Sequence, residues 1–358
     1  CKVIFQYIHK MKKIFITLSI LSVFSACTSS KLAPIPKDAL KPTVTTQPTP
    51  NDTDDPAIWI NHKNPSESIV IGTDKEEAVG GLYAYNLKGE IINKITPLNR
   101  PNNVDVAYGF SYQGKKIDIA VTTERANHKI RIVSLPDFKL IDNGGIDVFE
   151  NEEIRDPMGI AMYTQGDKIY AIVGRKDGPS EGYLHQYLLA DNNGEIEAKL
   201  VRKFGKYSGK KEIEAIAVDQ ELGYIYYSDE TVGIRKYYAD PIKGNEELAF
   251  FGQKDFKRDH EGIAIYKTSN TDGYILVSDQ QANYFNVYKR EGTNGNANQH
   301  ELVAKIPVST VECDGADAVN FNFGSAFPKG FFVAMSNGMT FQLYDWRIIQ
   351  AEIDKQAK

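Results

Sequence analysis

A pattern that recurs six times along the chain constrains the fold more than any other feature of the sequence. Each copy holds an acidic residue near a short apolar segment, then a turn, then a second apolar segment that ends in polar residues. The first copy reads DDPAIWI and SIVIGTDK, and the fifth reads DHEGIAIY and GYILVSDQ. The acidic markers, 50, 51, 58, 47 and 56 residues apart, are Asp55, Asp105, Asp156, Glu214, Glu261 and Asp317. Such intervals are typical of propeller blades, in which each repeat is a four-stranded antiparallel sheet.

Further strand-like segments follow each pair, among them GLYAYNL, IRIVSL and FNVYKR. Aromatic and β-branched residues alternate in them between Gly and Asn turns, which favours strands. Beyond the amino-terminal apolar segment, only the final WRIIQAEIDKQ has a helical pattern. A pair of β-sandwiches is the competing fold, but the regular spacing argues against it. We therefore predict an all-β fold, a six-bladed β-propeller of four-stranded antiparallel sheets around a central channel, over residues 54–350.

The amino-terminal region has the pattern of a secretion signal. Three residues ending in two lysines, 11–13, precede an apolar segment at 14–24 and the small residues before Cys27. The apolar segment is shorter than the roughly 20 residues that span a bilayer. Residues 11–26 resemble a bacterial lipoprotein signal peptide, after which Cys27 is lipidated; a plain signal peptide cut nearby is the alternative. Residues 1–10 are expected to be upstream translated sequence.

Residues 27–53 are rich in Pro and Thr, with five prolines after Cys27. This composition favours an extended tether, so the folded body is expected to begin near Asp54. The predicted location is the bacterial cell envelope, with a lipid anchor in the outer membrane or cell surface and the domain in the periplasm or outside. The membrane is expected to be contacted only through that anchor.

The charge balance excludes one class of partner. The chain has 42 Lys and Arg against 47 Asp and Glu, a net charge of −5. Removal of residues 1–26 takes away four lysines and no acid, so 38 positive charges face 47 negative ones and the net charge becomes −9. An acidic domain is not expected to bind nucleic acid. Cys313 then remains as a lone thiol, which is usually a small buried hydrophobe.

Charged residues follow the second apolar segment of most repeats. These six segments end at Asp74-Lys75, Glu124-Arg125, Lys176-Asp177, Asp229-Glu230, Asp279-Gln280 and Ser336-Asn337. In one interpretation they cap turns and form surface ion pairs. In the other, the ends share one rim of the channel, and the crowded carboxylates bind Ca²⁺ or Mg²⁺, with a wide acidic pocket favouring Ca²⁺. Lys75, Arg125 and Lys176 would then bind an anion such as a multiply phosphorylated ligand.

Several motifs together resemble a known family. DDPAIWINHKNP, IGTDK, NNVDVAYGF, RKDG, DHEGIAIY and DGADAV are similar to segments of the β-propeller phytases, also called alkaline 3-phytases. The resemblance extends from about Asp54 to Trp346. It implies a six-bladed, calcium-dependent phosphomonoesterase that hydrolyses phosphates from phytate (myo-inositol hexakisphosphate) with a metal-activated water. The products would be inorganic phosphate and lower inositol phosphates.

The resemblance also implies roles for individual residues. Lys75, Arg125 and Lys176 would bind phosphate and, with Asp177, Glu214 and Glu230, form the catalytic group; Gln280 and Asp314 would contact substrate. The implied ligands of several calcium ions are Asp54, Asp55, Asn103, Asp105, Asp177, Glu214, Glu230, Asp259, Glu261 and Asp317. The expected partner is phytate as its calcium complex, bound by a monomer.

Two departures from the family concern these positions. Met158 stands where the family has a phosphate-contacting Tyr, and a thioether donates no hydrogen bond. Asp177 replaces a longer Glu at a calcium position. Two other classes stay open: a calcium-dependent, lactonase-like propeller hydrolase, and a non-enzymatic surface lipoprotein that binds calcium or phosphate. The lactonase-like hydrolase does not need the set of Lys75, Arg125 and Lys176, and the binding protein would keep the rim but show no turnover. That set is the feature that discriminates between the classes.

Overall fold

Six antiparallel sheets follow one another along the chain in a computed structural model that describes residues 32–357. The strands, in chain order, are β1 Val44–Thr45, β2 Thr53–Trp59, β3 Ile69–Asp74, β4 Gly80–Tyr85, β5 Ile91–Leu98, β6 Pro101–Tyr112, β7 Lys115–Glu124, β8 Lys129–Leu135, β9 Lys139–Leu140, β10 Ile146–Asp147, β11 Pro157–Gln165, β12 Lys168–Arg175, β13 Glu181–Asn192, β14 Glu195–Lys206, β15 Ile216–Asp219, β16 Tyr224–Asp229, β17 Gly233–Tyr238, β18 Ala249–Phe251, β19 His260–Lys267, β20 Gly273–Asp279, β21 Tyr284–Lys289, β22 Leu302–Pro307, β23 Ala316–Val319, β24 Phe331–Ser336 and β25 Thr340–Asp345. The helices are α1 Trp346–Gln356 and the 3₁₀ turns Pro65–Glu67, Arg125–Asn127, Pro241–Lys243 and Gln280–Ala282.

The strands form the six blades that the repeat predicts. Blade 1 contains β2–β5, blade 3 β11–β14, blade 4 β15–β18 and blade 5 β19–β22, each in sequence order. Blade 2 contains β6, β7, β8 and β10, and the short β9 adds to β8. Blade 6 is ordered β23, β24, β25 and then β1. The prediction of an all-β, six-bladed propeller is therefore confirmed.

The outer strand of blade 6 comes from the other end of the described chain. Val44 pairs with Leu343 and Thr45 with Gln342, so β1 completes the sheet next to β25. An exposed strand edge offers unpaired backbone groups, and a short extended segment satisfies them. The prediction of a tether up to residue 53 is therefore wrong for residues 44–53. The predicted signal peptide and Cys27 lie outside the described residues.

The carboxyl-terminal helix α1 confirms the helical pattern seen in the sequence. Asp345 caps it by accepting a hydrogen bond from the Arg347 amide at 3.0 Å. Its buried face contains Trp346, Ile349 and Ile353, and the Trp346 ring stacks on Tyr266. The folded body therefore continues past residue 350. Within residues 32–357, no helix has the length and apolar character needed to cross a bilayer.

The first strand of every blade lines a central cavity of about 440 Å³. Apolar side chains from the first strands and from the strands outside them pack between neighbouring blades and form the core. The first strands of neighbouring blades approach one another closely, and small residues lie at the points of closest approach. At Gly159, for example, a Cβ atom would lie 1.8 Å from the carbonyl oxygen of Glu214. Blades 3 and 4 can therefore meet only because this position has no side chain.

Candidate functional site

The first strands of four blades carry a register shift next to their amino-terminal ends. The shifts lie between Thr53 and Pro56, Pro101 and Val104, Pro157 and Ile160, and His260 and Ile263. A β-bulge bends a strand and changes the direction of the side chains within it. In each blade, one residue lies two positions before the first residue of the regularly paired part of the first strand. We call these six residues the inner ring: Asp54, Asn102, Met158, Glu214, Glu261 and Asp314.

A second ring follows from the ends of the second strands. We call the residue directly after each of them the outer ring: Lys75, Arg125, Lys176, Glu230, Gln280 and Asn337. Blades 1–3 supply the cationic members of this ring, and blades 4–6 supply acidic and neutral members. We call the end of the channel that the two rings surround the mouth. In the outer ring, the cationic residues occupy one half of the mouth, and the acidic and neutral residues occupy the other half.

Lys75 connects the two rings on blades 1 and 6. Its Nζ lies 2.6 Å from Asp54 Oδ1 and 2.9 Å from Asp314 Oδ2. Burial lowers the pKa of Lys75, but the charges of these two carboxylates outweigh it and raise that pKa above its ordinary value. Gln280 donates a hydrogen bond to the other oxygen of Asp314. The predicted metal ligand Asp54 and the predicted substrate contact Asp314 thus both pair with Lys75, and Gln280 is linked to them through Asp314.

Asn102 joins carboxylates from opposite sides of the mouth. Its Nδ2 donates to Asp54 Oδ2 at 3.2 Å and to Glu214 Oε1 at 3.1 Å. Burial raises the pKa of Glu214 well above its ordinary value, and the nearby charge of Asp54 raises it further. Burial likewise raises the pKa of Glu230 to about 7. These acids resist ionisation together unless positive charge is brought to them.

A second lysine, Lys211, occupies the acidic half of the mouth. Its Nζ lies 2.7 Å from Glu230 Oε2, 2.9 Å from Asp259 Oδ2 and 3.6 Å from Glu261 Oε1. The contact with Glu230 is an ion contact outside hydrogen-bonding geometry, since neither Glu230 oxygen has a hydrogen-bond partner in the described chain. Gln281 donates to Asp259 Oδ2 at 2.6 Å and helps to orient that carboxylate.

The mouth has the donor atoms of a hard-cation site. Ligand oxygens of Glu212, Glu214 and Glu230 lie within 4.8 Å of one another. At the mouth, the buried oxygens that have no hydrogen-bond partner in residues 32–357 belong to Asn102, Asn103, Glu230 and Glu261. Unpaired buried acceptors are costly, and a cation with oxygen ligands would satisfy them. The residues present therefore fit Ca²⁺ or Mg²⁺.

Three predicted metal ligands lie inside the channel instead. Each accepts an amide hydrogen bond from the first strand of the next blade, and the pairs are Asp55 with Val104 at 3.0 Å, Asp105 with Met162 at 2.7 Å and Asp317 with Ile58 at 2.9 Å. Burial raises the pKa of Asp105 to about 7 and that of Asp317 to about 6. The six acidic markers of the repeat do not all lie at one end of the channel, because they occupy different positions of the repeat.

The other predicted residues lie at the rim. Arg125 is half-buried, and its guanidinium has no ion pair or hydrogen bond with any residue of the described chain. Lys176 pairs with Glu212. Asp177 is exposed and accepts from the Gly178 amide at 2.8 Å. Met158, the inner-ring member of blade 3, is buried, which leaves that position without a polar group.

Sequence reasoning missed four residues of the mouth: Asn102, Lys211, Glu212 and Gln281. Glu212 could have been found, because alternation in the segment EIE places it on the same side of an extended chain as Glu214. Lys211 had no such signal, since adjacent Lys210 is chemically identical and lies exposed. The doublet Asp229-Glu230 also divides: Asp229 binds Arg235 at 2.8 Å within its own blade, and only Glu230 reaches the mouth.

Comparison with known proteins adds to this geometry. The chain is 31% identical over 317 residues to the 3-phytase of Bacillus subtilis (strain 168), covering 83% of this chain and 80% of that protein. Among solved structures, the Dos1 propeller is similar with a TM-score of 0.43 and 8% identity, over 82% of this chain and 68% of that one. BBS1N in complex with ARL6DN has a TM-score of 0.49 and 11% identity, over 80% and 76%. Scores this low add nothing to the assignment.

A family model decides the assignment. The model described as Phytase matches residues 9–346, which include all six blades. The sequence motifs, the six-bladed fold and the curated relative agree with that match. The chain belongs to the Phytase family.

Proposed function

We propose that the protein is a calcium-dependent phosphomonoesterase that hydrolyses phytate to inorganic phosphate and lower inositol phosphates. Family membership supports the substrate class, and the curated relative is a 3-phytase. One observation carries the proposal at the level of the site: the mouth holds buried carboxylate and amide oxygens that accept no hydrogen bond within residues 32–357, and blades 1–3 contribute the cations Lys75, Arg125 and Lys176 to its outer ring. That arrangement suits a cation and a phosphate group side by side.

The outer ring supplies the groups that would bind phosphate. Arg125 offers a planar guanidinium that is free within the described chain, and guanidinium groups bind phosphate oxygens in pairs. Lys75 and Lys176 add positive charge from the neighbouring blades and would stabilise the negative charge on the equatorial oxygens during phosphoryl transfer. Gln280 orients Asp314, which in turn orients Lys75.

The cation would be held by oxygens of Glu212, Glu214, Glu230 and Glu261. Calcium, when bound, would neutralise phosphate oxygens and lower the pKa of a water molecule that attacks phosphorus. Water then adds to phosphorus, the bond to the inositol oxygen breaks, and that oxygen takes a proton. The protein forms no covalent bond with the substrate in this scheme. Without a cation, the acidic protein would repel a polyanionic substrate.

The first experiment measures inorganic phosphate released from phytate with and without calcium. We expect EGTA to abolish release and added Ca²⁺ to restore it. Full activity in EGTA would contradict the calcium requirement. No release under any cation would contradict the phosphatase assignment and would favour the non-enzymatic binding protein.

Arg125→Gln is a more informative test of the phosphate-binding residues than Lys75→Ala. It removes no described ion pair, so we expect normal folding and a loss in kcat/KM of about 100-fold, the usual effect of one lost charge-stabilising donor. Lys94→Gln, an exposed change on β5 with the same loss of charge, is the control and should retain activity. Lys75→Ala should also lose activity. If phosphate release from calcium phytate survives both variants, the site is wrong.

A lactonase-like hydrolase would also place acidic and amide groups around a cation. The cationic half of the outer ring favours the phosphatase, because hydrolysis of a neutral lactone gains nothing from three adjacent cations. Phosphate release and lactone opening by the same preparation would decide between them.

A further inference from the structure

Three lysines at the mouth, Lys75, Lys176 and Lys211, are paired with carboxylates. Lys75 contacts Asp54 and Asp314, Lys176 contacts Glu212, and Lys211 contacts three acids. Among these lysines, only Lys211 lies in the acidic half, away from the cationic members of the outer ring. Its surroundings are those expected of a metal ion, with a positive centre among carboxylate oxygens from blades 4 and 5.

Lys211 differs from Lys75 in how firmly it is held. The Lys211 side chain is 39% exposed, compared with 21% for Lys75. Lys211 leaves the loop between β14 and β15, so its stem can rotate into solvent without moving a strand. Lys75 directly follows β3 and is enclosed by acids from two blades.

We propose that the Lys211 ammonium holds the place of a divalent cation in the cation-free protein and leaves that place when the cation binds. This inference rests on the proposed function, whose cation site shares Glu230 and Glu261 with the carboxylates around Lys211. The single charge of an ammonium leaves the three carboxylates of Glu230, Asp259 and Glu261 with a net negative charge. A divalent cation neutralises more of that charge, and it approaches oxygens at about 2.3–2.6 Å, closer than an ammonium does.

The exchange would have a consequence for substrate binding. While the carboxylates hold Lys211, its positive charge is unavailable to an anion. Once displaced, the ammonium remains on a loop at the same mouth and can attract phosphate. Cation binding would therefore strengthen anion binding, and the coupling is reciprocal, so an anion would also strengthen cation binding.

Calcium titration by calorimetry tests the competition. The proteins are EGTA-stripped wild type, Lys211→Met and Lys210→Met, the last being an exposed neighbour with the same change in charge. Removal of a competing ammonium should tighten calcium binding at one class of site by about tenfold. An ion pair at this distance and with this partial exposure changes an equilibrium constant by a factor on the order of ten. Lys210→Met should change the affinity by less than about twofold. Unchanged or weaker binding by Lys211→Met would overturn the inference.

Chemical modification of the wild-type protein tests the displacement without a variant. Lysines are acetylated in EGTA or in saturating Ca²⁺, and the modified sites are quantified by mass spectrometry. We expect acetylation of Lys211 to rise several-fold with calcium, while that of Lys210 stays constant. A fall or no change at Lys211 would show that the ammonium stays in place.

These readouts separate the inference from the proposed function. A protein that binds calcium and releases Lys211 but hydrolyses no phytate would sustain the inference and contradict the proposed function. If neither wild type nor Lys211→Met binds calcium, the inference is wrong, and phosphate release in EGTA then decides whether the phosphatase assignment survives.

Discussion

The carboxylates inside the channel are half-buried, those at its mouth are mostly buried, and the two groups have different partners. Asp105 accepts amide hydrogen bonds at both oxygens, from Val106 and Met162, each at 2.7 Å. At the mouth, neither oxygen of Glu230 accepts a hydrogen bond within residues 32–357, and its Oε2 lies 2.7 Å from the ammonium of Lys211. Burial raises the pKa in both places, so burial alone does not identify a cation site.

This difference shows which acids are available for chemistry. An acid whose oxygens are satisfied by backbone amides of the next blade stabilises the ring of blades. An acid whose oxygens accept no backbone hydrogen bonds, and whose partners are side chains, is available to bind a cation. Acids with side-chain partners and acids with backbone partners can be adjacent in the repeat: Asp54 accepts from the side chains of Lys75 and Asn102, and Asp55 accepts from the Val104 amide.

Replacement of Glu214 by Gln should have the largest effect. The amide keeps the size of the side chain but removes a charged oxygen beside Glu212 and Glu230. We expect the rate of phosphate release to fall by about 100- to 1000-fold, with an unchanged free energy of unfolding in EGTA. Steady-state assays and urea unfolding measure the two quantities, with exposed Glu195→Gln as the control. Normal turnover by Glu214→Gln would remove the mouth acids from the mechanism.

Asn102→Ala tests whether the mouth acids need orientation. Asn102 donates to both Asp54 and Glu214, and partners of this kind typically contribute 10- to 100-fold to metal affinity. We expect calcium affinity, measured by calorimetry, to fall by about tenfold or more. Asn93→Ala, an exposed change on β5, should leave it unchanged. Wild-type affinity in Asn102→Ala would mean that the carboxylates are positioned by the backbone alone.

Asp105→Ala should affect stability instead of cation binding. Two buried amides lose their acceptor, so we expect the free energy of unfolding to fall by about 1–3 kcal/mol in EGTA. Calcium affinity should stay at the wild-type value. Exposed Asp137→Ala should change stability by less than about 0.5 kcal/mol. The resemblance to the phytases implies a calcium role for Asp105. A clear loss of calcium affinity would support that role and would contradict the conclusion that only the mouth acids bind the cation.

Much of the fold could be predicted because each blade is a local unit. The six repeats, the hairpin turns and the final helix all depend on residues close together in the sequence. The strand β1 could not be predicted, since Val44-Thr45 lies in a Pro-rich segment and pairs with β25 almost 300 positions later. The site was predicted at the level of residue types, but Asn102 and Lys211 carry no local signal that separates them from Asn103 and Lys210.

The sequence by itself determined that six blades form and that each repeat carries an acidic residue near its first strand, because alternation and spacing act within one repeat. Only the tertiary structure decided which acids reach the mouth. Asp54 and Glu261 lie in the β-bulges and reach the mouth, while Asp105 and Asp317 accept hydrogen bonds from backbone amides of the next blade. Which amide a side chain meets on the next blade depends on how the two blades pack together, and no single repeat contains that information.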